Sequence, residues 1–142
     1  MLKFQMEWTE DLSTGNETID EQHKELFGKI NDLVLAINHS VCKYKIADVI
    51  KFLEDYIVFH FGFEEKTMLT LSYPDYRAHK KQHEIFKKNF RQLKRELISL
   101  EGGKKPGSYD LSVRTNQIVV DWILEHIAMI DKKLGGFLQK AY

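Results

Sequence analysis

The chain holds six histidines, and five of them, His23, His60, His79, His83 and His126, stand where a helical hydrophobic period asks for an apolar side chain. The segment Val58-Phe59-His60-Phe61-Gly62-Phe63-Glu64-Glu65 shows the pattern most clearly. The apolar run Ile46, Val49, Ile50, Leu53 and Ile57 continues into His60, and Glu64 follows one turn later on the same face. An imidazole and a carboxylate aimed at a core must be paired or bound to something, because an unpaired buried charge is very costly. One such histidine is ordinarily a satisfied core residue, and a lone His-x-x-x-His such as His79/His83 arises on surfaces by chance. Five on inner faces, with Glu64 and Asp131 in company, point instead to a transition metal held between facing helices. His39, at a polar helix end, is read as a solvent-facing residue.

Seven protein donors exceed the four of a tetrahedral zinc site. They suit two six-coordinate ions that share bridging carboxylates. With Glu64, Asp131 and one solvent-derived oxygen as bridges, each ion has three common ligands, and five imidazoles divide three and two. One ion is then closed, and the other keeps one position for a small ligand. Ferritin-like di-iron proteins use Glu-x-x-His motifs and mostly carboxylates, a pattern that is absent here.

Four stretches must position these donors. Residues 1–17 read as an irregular arm, with turn chemistry at Ser13-Thr14-Gly15-Asn16 and with Phe4, Trp8 and Leu12 as anchors lying across the bundle. Thr18-Ile19-Asp20-Glu21 has capping-box spacing and predicts the first helix start. Ile19, His23, Leu26, Phe27, Ile30, Leu33, Val34 and Ile37 then share one stripe. Pro74 after Tyr73 suits the first turn of the third helix, whose heptad runs His79, His83, Phe86, Phe90, Leu93, Leu97, Leu100. Its other side is basic, with Lys80, Lys87 and Lys94 in one row and Lys81, Lys88 and Arg95 in the next; this is a solvated face or a surface for a protein partner. The segment 101–108 is a loop, and the last helix places Ile118, Val119, Trp122, Ile123, His126, Ile127 and Ile130 inward and ends at Gly135-Gly136. The expectation is an all-α, antiparallel four-helix bundle forming one domain over 1–142, with helices at about 18–38, 46–70, 75–101 and 110–134. His126 and Asp131, five apart, would lie roughly 140° apart on a regular helix, so either a π-type bulge separates them or the helix loosens near Asp131.

Composition bounds the class. Lys plus Arg equals Asp plus Glu at 21 each, which gives no general attraction to nucleic acid or anionic membrane. Cys42 is alone, so no internal disulfide forms, and a reducing compartment fits. No apolar run reaches membrane-spanning length, and the N-terminus lacks a signal-peptide pattern; the expected location is the cytoplasm.

Ile19-Asp20-x-Gln22-His23-x-x-Leu26, His60-Phe61-x-x-Glu64-Glu65, His79-x-x-x-His83 and His126-Ile127-x-x-x-Asp131 resemble, in order, the four signatures of the hemerythrin family in its bacterial single-domain form. Trp8, Gly15 and Tyr73-Pro74 extend the resemblance over essentially the whole chain. It implies reversible dioxygen binding at a non-haem centre of two iron ions, cycling between ferrous and ferric, with an oxo or hydroxo bridge. It places His79, His83 and His126 on the closed iron, His23 and His60 on the open one, and Glu64 and Asp131 across both. Leu26, Phe61, Trp122, Ile123 and Ile127 would wall the open position. The rival readings are a di-iron oxidase, peroxidase or nitric-oxide-handling enzyme using the same position, and an oxygen or iron sensor acting through the basic face.

Overall fold

A computed structural model describes residues 6–38, 43–99 and 114–141. Every regular element among them is helical. A 3-10 turn, Glu10–Leu12, precedes α1 (Glu17–Asn38), α2 (Lys43–Thr70) and α3 (Tyr76–Ser99). The fourth helix, 114–141, changes pitch along its length. A π-helical segment Asn116–Asp121 leads into α4 (Trp122–His126), then a second π-helical segment Ile127–Asp131, then α5 (Lys132–Ala141). α1 packs on α2, α2 on α3, and the fourth helix closes the ring against both α3 and α1. The four-helix bundle expected from the stripes is the fold.

Two apolar clusters sandwich the donors. The larger joins Leu26, Ile30 and Leu33 to Ile50, Leu53, Ile57 and Phe61 of α2, with Phe86, Phe90 and Leu93 of α3 and Val119, Ile123 and Ile127 of the fourth helix. The smaller, Ile19, Met68, Tyr73, Leu134 and Leu138, closes the other end. Each fully buried side chain of this size stabilises the fold by about 1.5–3 kcal/mol relative to exposure. In sequence, His23 lies between Ile19 and Leu26, Glu64 between Phe61 and Met68, and Asp131 between Ile127 and Leu134. The polar donors thus occupy one layer between two dry ones.

Several boundaries differ from the expected ones. The first helix is capped by Asn16, whose Oδ1 accepts from Ile19 N at 3.0 Å, and not by Thr18. Asp20 is taken by the arm: it accepts from Thr14 N and Thr14 Oγ1 at 2.8 Å each and from Ser13 Oγ at 2.6 Å. α2 begins at Lys43, three residues before Ile46. Its end is a Schellman turn with Ser72 at φ 55, where Tyr73 N–H reaches Met68 O at 2.9 Å and Ser72 N–H reaches Leu69 O at 3.3 Å. Pro74 therefore belongs to the connecting turn, and the helix starts at Tyr76. Gly135-Gly136 does not end the last helix, which runs on through Ala141 because Leu134 and Leu138 are buried. Gly135 is there for close approach: a Cβ on it would stand 2.0 Å from Thr14 O.

The arm, expected to lie across the bundle, packs against α1, with Trp8 6.0 Å from the Phe27 ring and Asn31 bonded to both Met6 N (2.7 Å) and Met6 O (3.0 Å), and it meets the fourth helix where Lys132 Nζ donates to Asp11 O at 2.8 Å. On α3, Lys80, Lys81, Lys88 and Arg95 are exposed, while Lys87 pairs with Glu84 at 3.0 Å and Lys94 with Glu54 at 2.7 Å. Among the described residues no helix is long and apolar enough to cross a membrane. Phe4, His39, Cys42, Leu100 and the 101–108 loop lie outside the described residues, as do the side chains of Ile37, Ile46 and Leu97.

Candidate metal centre

All seven expected donors meet in the layer between the clusters. α1 brings His23, α2 brings His60 and Glu64, α3 brings His79 and His83, α4 ends in His126, and the second π-helical segment ends in Asp131. None is more than 4% exposed, and Glu64 and Asp131 are at 0%, so bulk water cannot solvate either carboxylate. The π winding resolves the five-residue spacing in favour of the bulge: Lys132 N–H bonds Ile127 O, five residues back.

The two carboxylates divide their oxygens between two groups of imidazoles. Glu64 Oε1 faces His83 Nε2 at 3.2 Å and His79 Nε2 at 3.5 Å, while its Oε2 faces His60 Nε2 at 3.6 Å and His23 Nε2 at 3.9 Å. Asp131 Oδ1 faces His79 Nε2 at 3.0 Å and His126 Nε2 at 3.1 Å, and its Oδ2 faces His23 Nε2 at 2.9 Å. Two overlapping donor sets result, Glu64/His79/His83/His126/Asp131 and His23/His60/Glu64/Asp131, each with its donor atoms within 4.8 Å of one another. Despite these short approaches, all four carboxylate oxygens and the Nε2 atoms of His23, His79, His83 and His126 lack a partner in hydrogen-bond geometry. Buried polar atoms are ordinarily satisfied. Atoms that crowd together yet fail to bond one another are aimed at common points between them, which fits two cations sharing both carboxylates.

Electrostatics in the protein alone agree. Burial opposes a charged imidazole at His23, His79 and His83, but the facing carboxylates outweigh it and raise all three, His79 to about 9. At His60 burial dominates and lowers the group to about 4, leaving it neutral at pH 7. Burial also opposes ionised Glu64 and Asp131, yet the surrounding imidazoles hold both below the usual carboxylate range. Two dry carboxylates are thus kept anionic only by cationic neighbours, a role that metal ions fill better than protons.

Two further residues orient the rings. His60 Nδ1 lies 2.7 Å from Gln22 Oε1, and His83 Nδ1 lies 2.9 Å from Glu65 Oε2. Each acceptor holds the proton on Nδ1 and leaves the Nε2 lone pair facing the centre. Tyr56 OH braces the first pair by donating to Gln22 O at 3.1 Å. In sequence neither residue is marked beyond adjoining a donor, Gln22 beside His23 and Glu65 beside Glu64. Leu26, Phe61, Ile123 and Ile127 are buried in the larger cluster. Phe61 stacks flat on His83, 3.8 Å between centroids at 4°, and lies 5.9 Å from His60. Trp122 is only half-buried and stacks on His126 at 4.5 Å and 11°, so its ring touches the three-histidine group.

Comparison with known proteins follows the same lines. Residues 14–138 match the Hemerythrin HHE cation binding domain. The chain is 35% identical over 124 residues to a bacteriohemerythrin of Pseudomonas aeruginosa, covering 84% of this chain and 72% of that one. It is 31% identical over 137 residues to a bacteriohemerythrin of Methylococcus capsulatus, covering 94% and 96%. A crystal structure of wild-type hemerythrin superposes with a TM-score of 0.78 at 29% identity, covering 92% of this chain and 95% of that one. With a matched domain that spans nearly all of the described residues and both carboxylates inside it, the chain belongs to the hemerythrin family.

Proposed function

We propose that the chain binds dioxygen reversibly, as a carrier, store or donor, at a non-haem di-iron centre with one open coordination position. The observation that carries this reading is the division of carboxylate oxygens, three imidazoles on one side of Glu64 and Asp131 and two on the other. His79, His83 and His126 would hold one iron, His23 and His60 the second, with Glu64 and Asp131 bridging. Three imidazoles would thus serve one iron and two the other, and the two-histidine side would have room for one small ligand. The irons would supply the two electrons that dioxygen takes on binding and returns on release.

The chain's own residues do the rest. Gln22 and Glu65 fix the tautomers of His60 and His83, so the rings need no reorganisation. Leu26, Phe61, Ile123 and Ile127 exclude water and offer no proton donor, which keeps the ligand from being drawn into acid–base chemistry. That apolar wall favours binding over turnover. The test is to load the chain with ferrous iron without air, admit dioxygen, then remove the gas while recording the optical spectrum. The expected result is two irons per chain and a visible band that appears and vanishes reversibly. One zinc per chain, or steady consumption of dioxygen with an added reductant in place of a reversible band, would overturn the reading.

A further inference from the structure

Outside the donor layer, a hollow of about 230 Å³ opens between α3 and the fourth helix. Gln82, Trp122, Glu125, His126, Met129 and Ile130 line it. His126, at 4% the least buried of the five inner histidines, stands at its floor, stacked face to face on Trp122. The candidate centre here comes within one imidazole ring of a solvent-open site.

The lining describes a ligand. Trp122 and Ile130 offer apolar surface, and Met129, 67% exposed, offers a thioether that contacts aromatic rings favourably. Gln82 and Glu125 add an amide and a carboxylate that can hold a hydroxyl. On α3 the positions that share the side of Gln82 one and two turns away are Ala78, Ile85 and Asn89, all uncharged, while Lys94 faces α2 and pairs with Glu54. Glu125 is the one formal charge in the lining and opposes anions. Pockets for drug-sized ligands run to roughly 300–1,000 Å³, so this smaller one fits a single ring.

We propose that the hollow is an electron inlet that takes a small uncharged hydroquinone, which reduces the oxidised form of the centre through His126 and the Trp122 ring. The hydroquinone gives up two O–H protons to water at the open mouth and two electrons to the centre, returning two ferric ions to ferrous, and leaves as quinone. The proposal rests on the di-iron reading above.

Calorimetry of the oxidised, iron-loaded chain with duroquinone, whose fully substituted ring cannot add to Cys42, should give saturable binding at one site. Met129→Glu should weaken it by about tenfold or more, equivalent to 1.4 kcal/mol. Val58→Glu, a substitution at an exposed α2 position remote from the hollow, should bind as wild type does. In stopped flow, the ratio of the durohydroquinone rate to the dithionite rate should fall by a similar factor in Met129→Glu only. Absence of saturable binding, equal weakening in both variants, or an unchanged rate ratio would overturn the proposal while leaving the reversible oxygen spectrum intact. A chain without iron would instead overturn the di-iron reading, and the inlet with it.

Discussion

Replacing Gln22 by leucine should weaken the hold on the iron of the His23/His60 side while preserving the bundle. The substitution removes the Oε1 acceptor that lies 2.7 Å from His60 Nδ1. Leucine roughly fills the space, so the loss is chemical more than steric. Gln22 is 8% exposed and His60 1%, leaving little room for a replacement water. A buried donor left unsatisfied costs about 1–3 kcal/mol, which is roughly five- to 150-fold in a binding constant. The loss also frees the imidazole proton to move to Nε2, where it blocks coordination. Removing the outer partner of a ligating histidine ordinarily costs about 10–100-fold in metal affinity, the same range. The assay is competition for ferrous iron against a coloured chelator, resolving two steps in wild type. Gln22→Leu should weaken one step by about tenfold or more, and Gln22→Glu, which keeps an acceptor oxygen, should restore most of it. Glu65→Leu should cost less, because the Glu65 side chain keeps 17% exposure and water can stand in for it. Two unshifted steps in Gln22→Leu would refute the argument that this amide sets the His60 tautomer.

Two other outcomes follow from the same layer. Ile123→Ser places a hydroxyl in the buried wall and admits water, offering the bound ligand a proton donor whose hydrogen bond, about 1–3 kcal/mol, stabilises the transition state for its loss; decay of the oxy band in air should quicken by roughly five- to a hundred-fold, and an oxy form as long-lived as wild type would mean Ile123 is only core. In the metal-free chain, carboxylates outweigh burial to raise His79 from 6.5 to about 9, with His23 and His83 raised as well. This stabilisation is full below pH 6.5 and lost as pH rises through 9, so urea melts should show a drop on the order of 2 kcal/mol between those values. His60, held near 4 by burial, works the other way and removes stability as pH falls from 6.5 toward 4. The iron-loaded chain should lack the alkaline loss, because its ligand imidazoles are already neutral, and should shed metal in acid. A flat profile for the metal-free chain would contradict these assignments.

The donors were legible because they break a pattern. A histidine at position 23, 60, 79, 83 or 126 interrupts a stripe that burial demands be apolar, and the repetition on four stripes leaves little but a metal. The residues that depend on tertiary approach were not legible in the same way. Gly135-Gly136 reads as a stop signal because glycine weakens helices, whereas its reason is Thr14, distant in sequence and backbone to backbone in space. Thr18 and Asn16 are both sound capping residues. What selects Asn16 is its own Oδ1, which accepts from Ile19 N, while Glu21, the residue a Thr18 capping box would use, pairs with Lys24 at 3.0 Å and Asp20 ties the arm to the helix start through Thr14 and Ser13. Gln22 and Glu65 each adjoin a donor, and periodicity alone cannot tell an edge position from a supporting one. Trp122 falls on the inner stripe by register, but its large ring turns toward His126 and Phe86, at 4.5 and 4.6 Å, where flat surfaces are available.

Two helices supply their carboxylates by different means. On α2 the spacing from His60 to Glu64 is four, which a regular α-helix aligns, and the long glutamate side chain reaches the layer from there. On the fourth helix the partner is an aspartate, one methylene shorter, and the spacing from His126 is five. A regular helix would swing that carboxyl roughly 140° away. The π-helical segment Ile127–Asp131 winds five residues into about one turn, returning Asp131 to the face of His126, with Oδ1 3.1 Å from Nε2. A π turn is also wider than an α turn, which carries the backbone toward the layer and offsets the shorter side chain. Inside the segment, Ala128 and Met129 are left facing solvent while Ile127 stays buried, so the inserted residue does not open the core. An irregular helix is ordinarily a cost in stability. At this position it is what lets both oxygens of Asp131 enter between the two groups of histidines, and π bulges gather at functional sites for this kind of reason.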